Sequence, residues 1–182
     1  SGLLKIKEKF ENTSFNLKTP DLKTVYKTHP EAWKNYQQFI LNLAAGIGSK
    51  LKIALDFSSG TSGPEIIPLL EKNKLNLATL AEIPNGNFPT HGPDPLDEAS
   101  QKPLKILMKS GRYNLGVLID GDGDRILFFS EKGETIDPSL IASLLADSLG
   151  YKKAVKTVSV SKIFEETIGN RGGKVITVKV GR

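Results

Sequence analysis

Hydrophobic and polar positions along this chain change period several times, and each change marks an element. From Pro30 onward, Trp33, Tyr36, Ile40 and Leu43 fall at i, i+3, i+7 and i+10, with Lys34, Asn35 and Gln37 between them. That spacing predicts a helix with one apolar stripe, on which Trp33 and Tyr36 serve packing, ended by Gly46 and Gly48. Past it the period shortens. Leu51 to Phe57 predicts a strand, followed by the turn Ser58-Ser59-Gly60-Thr61-Ser62-Gly63. Pro64 suits a first helical turn, so a helix is expected to about Asn73, with Pro68 at the edge of that turn or bending it. Ser58, Ser59 and Ser62 are expected to cap it. Leu75 to Leu80 predicts a second strand, and residues 82 to 95 form a Pro/Gly/Asn loop without periodicity. A helix over Glu98 to Lys109 and strands over Leu115 to Ile119 and Ile126 to Phe129 come next. A helix over Ser139 to Leu149 completes the run, apolar at 140, 141, 144, 145 and 149.

Strand, helix, strand, helix, strand with an added strand predicts an α/β fold: a mixed sheet with helices on both faces. Gly150 reads as a helix stop. Beyond it, Ala154 to Val160 predicts a strand, Lys162 to Ile168 a short helix, Gly172-Gly173 a turn and Lys174 to Val180 another strand. About thirty residues cannot bury a core of their own. This stretch is therefore expected to be a partial second α/β unit, and its end in a strand-like run favours a truncated piece of a longer protein.

Composition narrows the function classes. The 182 residues allow one large domain, or one domain and part of another. No apolar run reaches the roughly 18 to 20 residues that span a bilayer, so no membrane partner is expected. Cysteine is absent, which removes disulfides, thiolate metal sites and a cysteine nucleophile, and fits a reducing, cytoplasmic setting. The net charge of +5 permits phosphate-rich partners. Its lysines are scattered without interleaved aromatics, however, so an anionic small substrate is expected and nucleic acid is not.

The chemistry concentrates in Asp120-Gly121-Asp122-Gly123-Asp124-Arg125, entered from the uncharged run Leu115 to Ile119. Two carboxylates about 4 Å apart near a surface repel by roughly 4 kcal/mol. A cation among them removes that cost, and Mg²⁺, an oxygen-ligand metal often found beside phosphates, is the first candidate. Alternating glycines let the loop curl so that the three carboxylates converge. Arg125 adds a fork of donors suited to phosphate oxygens, and metal with arginine beside a phosphoryl group is apparatus for phosphoryl transfer. A Ca²⁺ loop fits Asp120, Asp122, Asp124 and Glu131, but Arg125 stands where that loop needs glycine, and strands flank it. A plain charged turn explains the glycines without needing three carboxylates. A phosphatase or phosphotransferase with an aspartate nucleophile and a non-catalytic metal-binding module remain as alternatives.

With these motifs in order, the chain resembles the α-D-phosphohexomutase family, the phosphomannomutases and phosphoglucomutases. Asp120 to Arg125 matches that family's metal loop. Ala54-Leu55-Asp56-Phe57-Ser58-Ser59-Gly60 resembles the opening of its second domain, and the segment from Glu82, with Asn85-Gly86-Asn87-Phe88-Pro89 and His91-Gly92-Pro93-Asp94-Pro95, the loop before that domain's next helix. Gly133 and Ile136 fit the hairpin after the metal loop, and Thr177-Val178-Lys179-Val180-Gly181 resembles a segment early in the third domain. The resemblance implies a lead segment at 1–49 packing on the next domain, a metal-binding second domain at 50–149, and the start of a third at 150–182. It implies Mg²⁺ on Asp120, Asp122 and Asp124, Arg125 beside the transferring phosphoryl group, and weaker substrate contacts from Ser161, Lys162 and Arg182. The implied substrates are hexose 1- and 6-phosphates, isomerised through a phosphoserine. No serine loop of that kind, no Gly-Glu-x-Ser-Gly sugar loop and no fourth-domain phosphate cradle is in this sequence. This chain alone is thus expected to be inactive, with domains 1 and 4 and the rest of domain 3 as missing partners.

Overall fold

Leu115–Ile119 carries no polar side chain, and the sheet is organised by burying it on both faces. The computed structural model describes residues 2–13, 29–43 and 50–180. The chain divides into a unit at 1–38 and a unit at 39–182. In the first unit, α1 (Gly2–Glu11) is amphipathic, and α2 (Pro30–Leu43) begins as expected and runs into the second unit. Trp33 and Tyr36 stack on one another with ring centroids 5.6 Å apart. They are 40 % and 51 % exposed, so they pair with each other and are not core residues. Gly46 and Gly48, expected to end α2, lie outside the described residues.

In the second unit a five-stranded sheet has the order β2-β1-β3-β4-β5. Its strands are β1 (Lys52–Asp56), β2 (Asn76–Leu80), β3 (Leu115–Ile119), β4 (Ile126–Phe129) and β5 (Thr135–Ile136). β1 pairs in parallel with β2 and with β3, setting Ala54 opposite Ala78 on one side and Gly116 on the other. The pairing turns antiparallel from β3 to β4 and from β4 to β5. Residues two apart share a face. Ala54, Leu118, Leu127 and Phe129 pack on one side with Leu104 and Met108 of α4 (Glu98–Lys109). On the other side, Leu55, Phe57, Val117 and Ile119 pack with Ile66, Ile67 and Leu70 of α3 (Gly63–Lys72). The mixed sheet with helices on both faces is therefore observed. Pro68 lies within α3.

This topology positions the site. From β1 the chain crosses through α3 to β2, then returns through α4 to β3 on the opposite side of β1. The strand order reverses at the β1–β3 pair, and open α/β sheets bind ligands outside the carboxyl ends of strands at such a switch point. Two loops leave from there: residues 57–62 after β1 and residues 120–125 after β3.

The remaining elements are α5 (Pro138–Ser148), β6 (Lys153–Thr157), α6 (Lys162–Asn170) and β7 (Lys174–Val178). β6 and β7 form a parallel pair joined through α6, while α5 packs along α6. Asp137 and Ser161 cap the two helices, and Arg171 pairs with Asp147 between them. Both strands stop short of the expected Val160 and Val180. Lys156, with 6 % of its side chain exposed, folds its ammonium over the turn after β6 and donates to the carbonyls of Val160 at 2.9 Å and Ser161 at 3.4 Å. The same group meets Glu165 Oε1 at 3.0 Å. The Lys156 hydrogen bond first, then the one from Thr177, holds the Glu165 carboxyl below its ordinary range. No helix among the described residues is long and apolar enough to cross a membrane.

Candidate metal centre

Asp120 directly follows the apolar strand β3 and remains fully buried. A buried carboxylate needs donors, and the next five residues supply them. Its Oδ1 accepts from the backbone N–H of Gly123 at 2.9 Å and of Arg125 at 3.1 Å, and its Oδ2 accepts from Arg125 Nε at 2.7 Å. The backbone N–H of Asp120 donates to the Arg125 carbonyl, closing the loop. Gly123 takes φ +81°, which a residue with a Cβ adopts only under strain. Asp122 and Asp124 project into solvent from this curl. One carboxylate oxygen from each of Asp120, Asp122 and Asp124 lies within 4.8 Å of the others. Three converging hard oxygens fit Mg²⁺ as ligands, with room for further oxygens from water or substrate.

Electrostatics follow this arrangement. Burial pushes the Asp120 carboxyl up, but the backbone and side-chain hydrogen bonds from Arg125, with smaller help from Asp122 and Asp124, outweigh it and leave it below its ordinary value. The charge of Asp122 is the main cause that raises Asp124. The hydrogen bond to Asp120 leads those that raise Arg125 further. Asp120 is thus a fixed, ionised anchor, and its two neighbours repel each other where nothing neutralises them.

Two other loops wall the centre. The Ser58 hydroxyl donates to the Ile119 carbonyl at 2.6 Å, and its backbone N–H donates to Asp56 Oδ1 at 3.0 Å. Thr61 N–H donates to the Gly121 carbonyl at 3.0 Å. On the other side, Pro93 and Phe88 lie against Gly121. His91 secures that loop: Nδ1 lies 2.8 Å from the Gly92 carbonyl oxygen, and Nε2 lies 3.0 Å from both carboxylate oxygens of the fully buried Asp56. Three residues further on, Asp94 Oδ1 accepts from Arg125 Nη1 at 3.0 Å. Ser58, Ser59, Ala81 and Phe88 hold φ between 47° and 51°, a left-handed backbone costly to residues with a Cβ. Such strain persists where surrounding bonds over-determine the conformation, as they do here.

The structure brings Asp120, Asp122, Asp124 and Arg125 together. The Arg125 fork is turned toward Asp120 and Asp94, and its side chain is half exposed. Ser161 accepts from Ile163 N–H as the cap of α6, and Lys162 opens that helix at the surface. Among the described residues, no hydrogen bond or ion pair joins either of them to the acidic loop, and Arg182 lies outside those residues. The expected caps of α3 are corrected. Ser58 bonds to Ile119, Ser59 carries only backbone bonds, and Ser62 makes no side-chain cap bond. The other capped helices receive their bond from the second residue's N–H, as with Ala99, Ser139 and Ile163. In α3 that residue is Pro64, which has no N–H. Sequence reasoning gave no role to Asp56, His91 or Asp94. Their one signal was the motif His91-Gly92-Pro93-Asp94-Pro95 in a loop without periodicity.

Fold and site together define an α/β domain with a candidate cation site at the switch point of its sheet. Residues 31–133 match the family described as phosphoglucomutase/phosphomannomutase, alpha/beta/alpha domain II. The chain belongs to the phosphoglucomutase/phosphomannomutase family. Over 178 residues it is 29 % identical to the phosphomannomutase of Methanocaldococcus jannaschii, covering 96 % of this chain and 38 % of that protein. Over 133 residues it is 29 % identical to the phosphoglucomutase/phosphomannomutase of Thermococcus kodakarensis, covering 71 % of this chain and 29 % of that one. Its fold is similar to the crystal structure of a phosphoglucomutase/phosphomannomutase family protein from Burkholderia thailandensis, with a TM-score of 0.71 and 24 % identity, covering 82 % of this chain and 33 % of the other. The chain therefore spans between 29 % and 38 % of the length of these relatives.

Proposed function

We infer that this chain is the metal-holding portion of a phosphohexomutase, an isomerase that moves a phosphoryl group between the 1- and 6-positions of a hexose through a phosphoserine carried elsewhere. The observation that carries this reading is the convergence of three carboxylate oxygens within 4.8 Å at the switch point of the sheet. Mg²⁺ held by Asp120, Asp122 and Asp124 would supply charge neutralisation beside the transferring phosphoryl group. The chain's own residues prepare that place. Three donors hold Asp120 in one orientation, and Asp94 steadies Arg125 at the rim, where its outer guanidinium edge can meet phosphate oxygens.

In this reading the second domain ends near the β4–β5 hairpin, and the third opens with α5, whose packing partner is α6. Hexose phosphates bind between these domains and others outside this chain, in a cytoplasmic enzyme. The chain by itself carries no phosphoryl-accepting serine and is inactive.

Incubation with glucose 1,6-bisphosphate followed by mass spectrometry tests this against the aspartate-nucleophile alternative. The expected result is no phosphoryl group on Asp120, Asp122 or Asp124, since in this reading all three serve as cation ligands and none as a nucleophile. Acyl phosphate on any of the three would overturn the reading. So would turnover of mannose 1-phosphate by the 182-residue chain.

A further inference from the structure

Among the described residues, one buried side-chain polar atom has no hydrogen-bond partner: the hydroxyl oxygen of Ser62. An unpaired buried hydroxyl is costly, and native structures keep few of them without a reason. Ser62 stands at the N-cap position of α3, yet its backbone is helical, with φ −82° and ψ −23°, and it caps nothing. By contrast Asp97, Asp137 and Ser161 each accept a bond at the head of their own helix.

The position of the orphan is specific. A methyl group built on Gly123 would stand 3.4 Å from Ser62 Cβ and 3.7 Å from Ser62 Oγ. Gly123 lies between Asp122 and Asp124, the two exposed carboxylates of the acidic loop. The Ser62 side chain thus lies against the turn that separates two repelling ligands, without a hydrogen bond to either. The neighbouring serine, Ser58, spends its hydroxyl on Ile119 and ties the two loops together. Ser62 has no such structural bond.

We propose that Ser62 is a positioning residue for the metal loop, its hydroxyl donating to an oxygen of the cation's coordination shell when the loop is loaded. This rests on the metal reading above. A serine hydroxyl can donate to a carboxylate or to a metal-bound water, and outer-shell donors of this kind orient the ligands. Their removal typically weakens metal affinity by about 10- to 100-fold. The same hydroxyl contributes nothing to the metal-free fold, so its loss there is neutral or stabilising.

The test is a Mn²⁺ titration of the 182-residue chain and its Ser62→Ala variant, with urea unfolding of both in chelator. The expected result is Mn²⁺ affinity reduced about tenfold or more, with metal-free stability equal to or above the parent's. Ser62→Gly, which removes the hydroxyl without adding bulk, should weaken affinity in the same direction. Parent-like Mn²⁺ affinity in both variants would overturn the role of Ser62 and leave the metal reading intact. Failure of the parent to bind Mn²⁺ at the acidic loop would overturn both. Loss of metal-free stability with unchanged affinity would make Ser62 a packing residue only.

Discussion

His91→Ala should destabilise the chain by about 1–3 kcal/mol, the cost of leaving a buried polar group without its hydrogen-bond partner. His91 retains 3 % of its side-chain exposure and Asp56 none, and each is the other's main partner. Alanine would leave Asp56 buried with, among the described residues, only the Ser58 N–H as donor. The damage should extend beyond stability. His91 pins the loop whose Pro93 and Phe88 lie against Gly121 and whose Asp94 holds Arg125, so the variant should also loosen the acidic loop. Urea unfolding of the parent, both single alanine variants and the Asp56→Ala/His91→Ala double variant measures this. The double variant should cost clearly less than the sum of the singles, because residues in one hydrogen-bonded pair are not additive. Strict additivity would mean that the pair does not hold the loop.

The second large effect concerns Gly60. A Cβ at that position would stand 2.5 Å from the Gly121 carbonyl oxygen and 2.7 Å from its Cα. Both are backbone atoms of the acidic loop and cannot swing aside. Gly60→Ala must therefore push the two loops apart and break the Thr61 to Gly121 hydrogen bond that joins them. Destabilisation of roughly 1–3 kcal/mol is expected, as for other overpacked sites, together with weaker Mn²⁺ binding. Gly86→Ala is the control, because nothing lies within 4 Å of a Cβ there. It should stay within about 0.5 kcal/mol of the parent. Equal behaviour of the two variants would contradict the close approach of the loops.

Much of this architecture was legible in the hydrophobic period. The runs at 51–57, 115–119 and 126–129 alternate or stay apolar in the way buried strands do, and the helix over Glu98–Lys109 has the predicted boundaries. The acidic loop was legible because like charges at that density need a physical reason. What the sequence hid depends on atoms far apart along the chain. The Asp56–His91 pair joins residues 35 positions apart, and no local pattern announces it. The missing cap of Ser62 goes with its helical backbone and with Pro64, which removes one of the N–H groups a cap uses, and neither shows in a serine at a favourable position. Val158 and Val160 carry the apolar pattern past Thr157, where the strand ends. There the buried Lys156 donates to the Val160 carbonyl, a contact that the apolar pattern does not announce.

In the proposed function, Asp120, Asp122 and Asp124 form one cation site at the end of β3. It is tested most directly by Mn²⁺ titration of the isotope-labelled chain, reading paramagnetic broadening of each backbone amide. This measurement detects even weak binding and locates it. Signals of residues 120–125 and of the facing loop at 60–62 should broaden first, and Asp122→Asn should abolish this preference while leaving metal-free stability equal or higher. Broadening spread evenly over the surface carboxylates, or a pattern unchanged in Asp122→Asn, would contradict it.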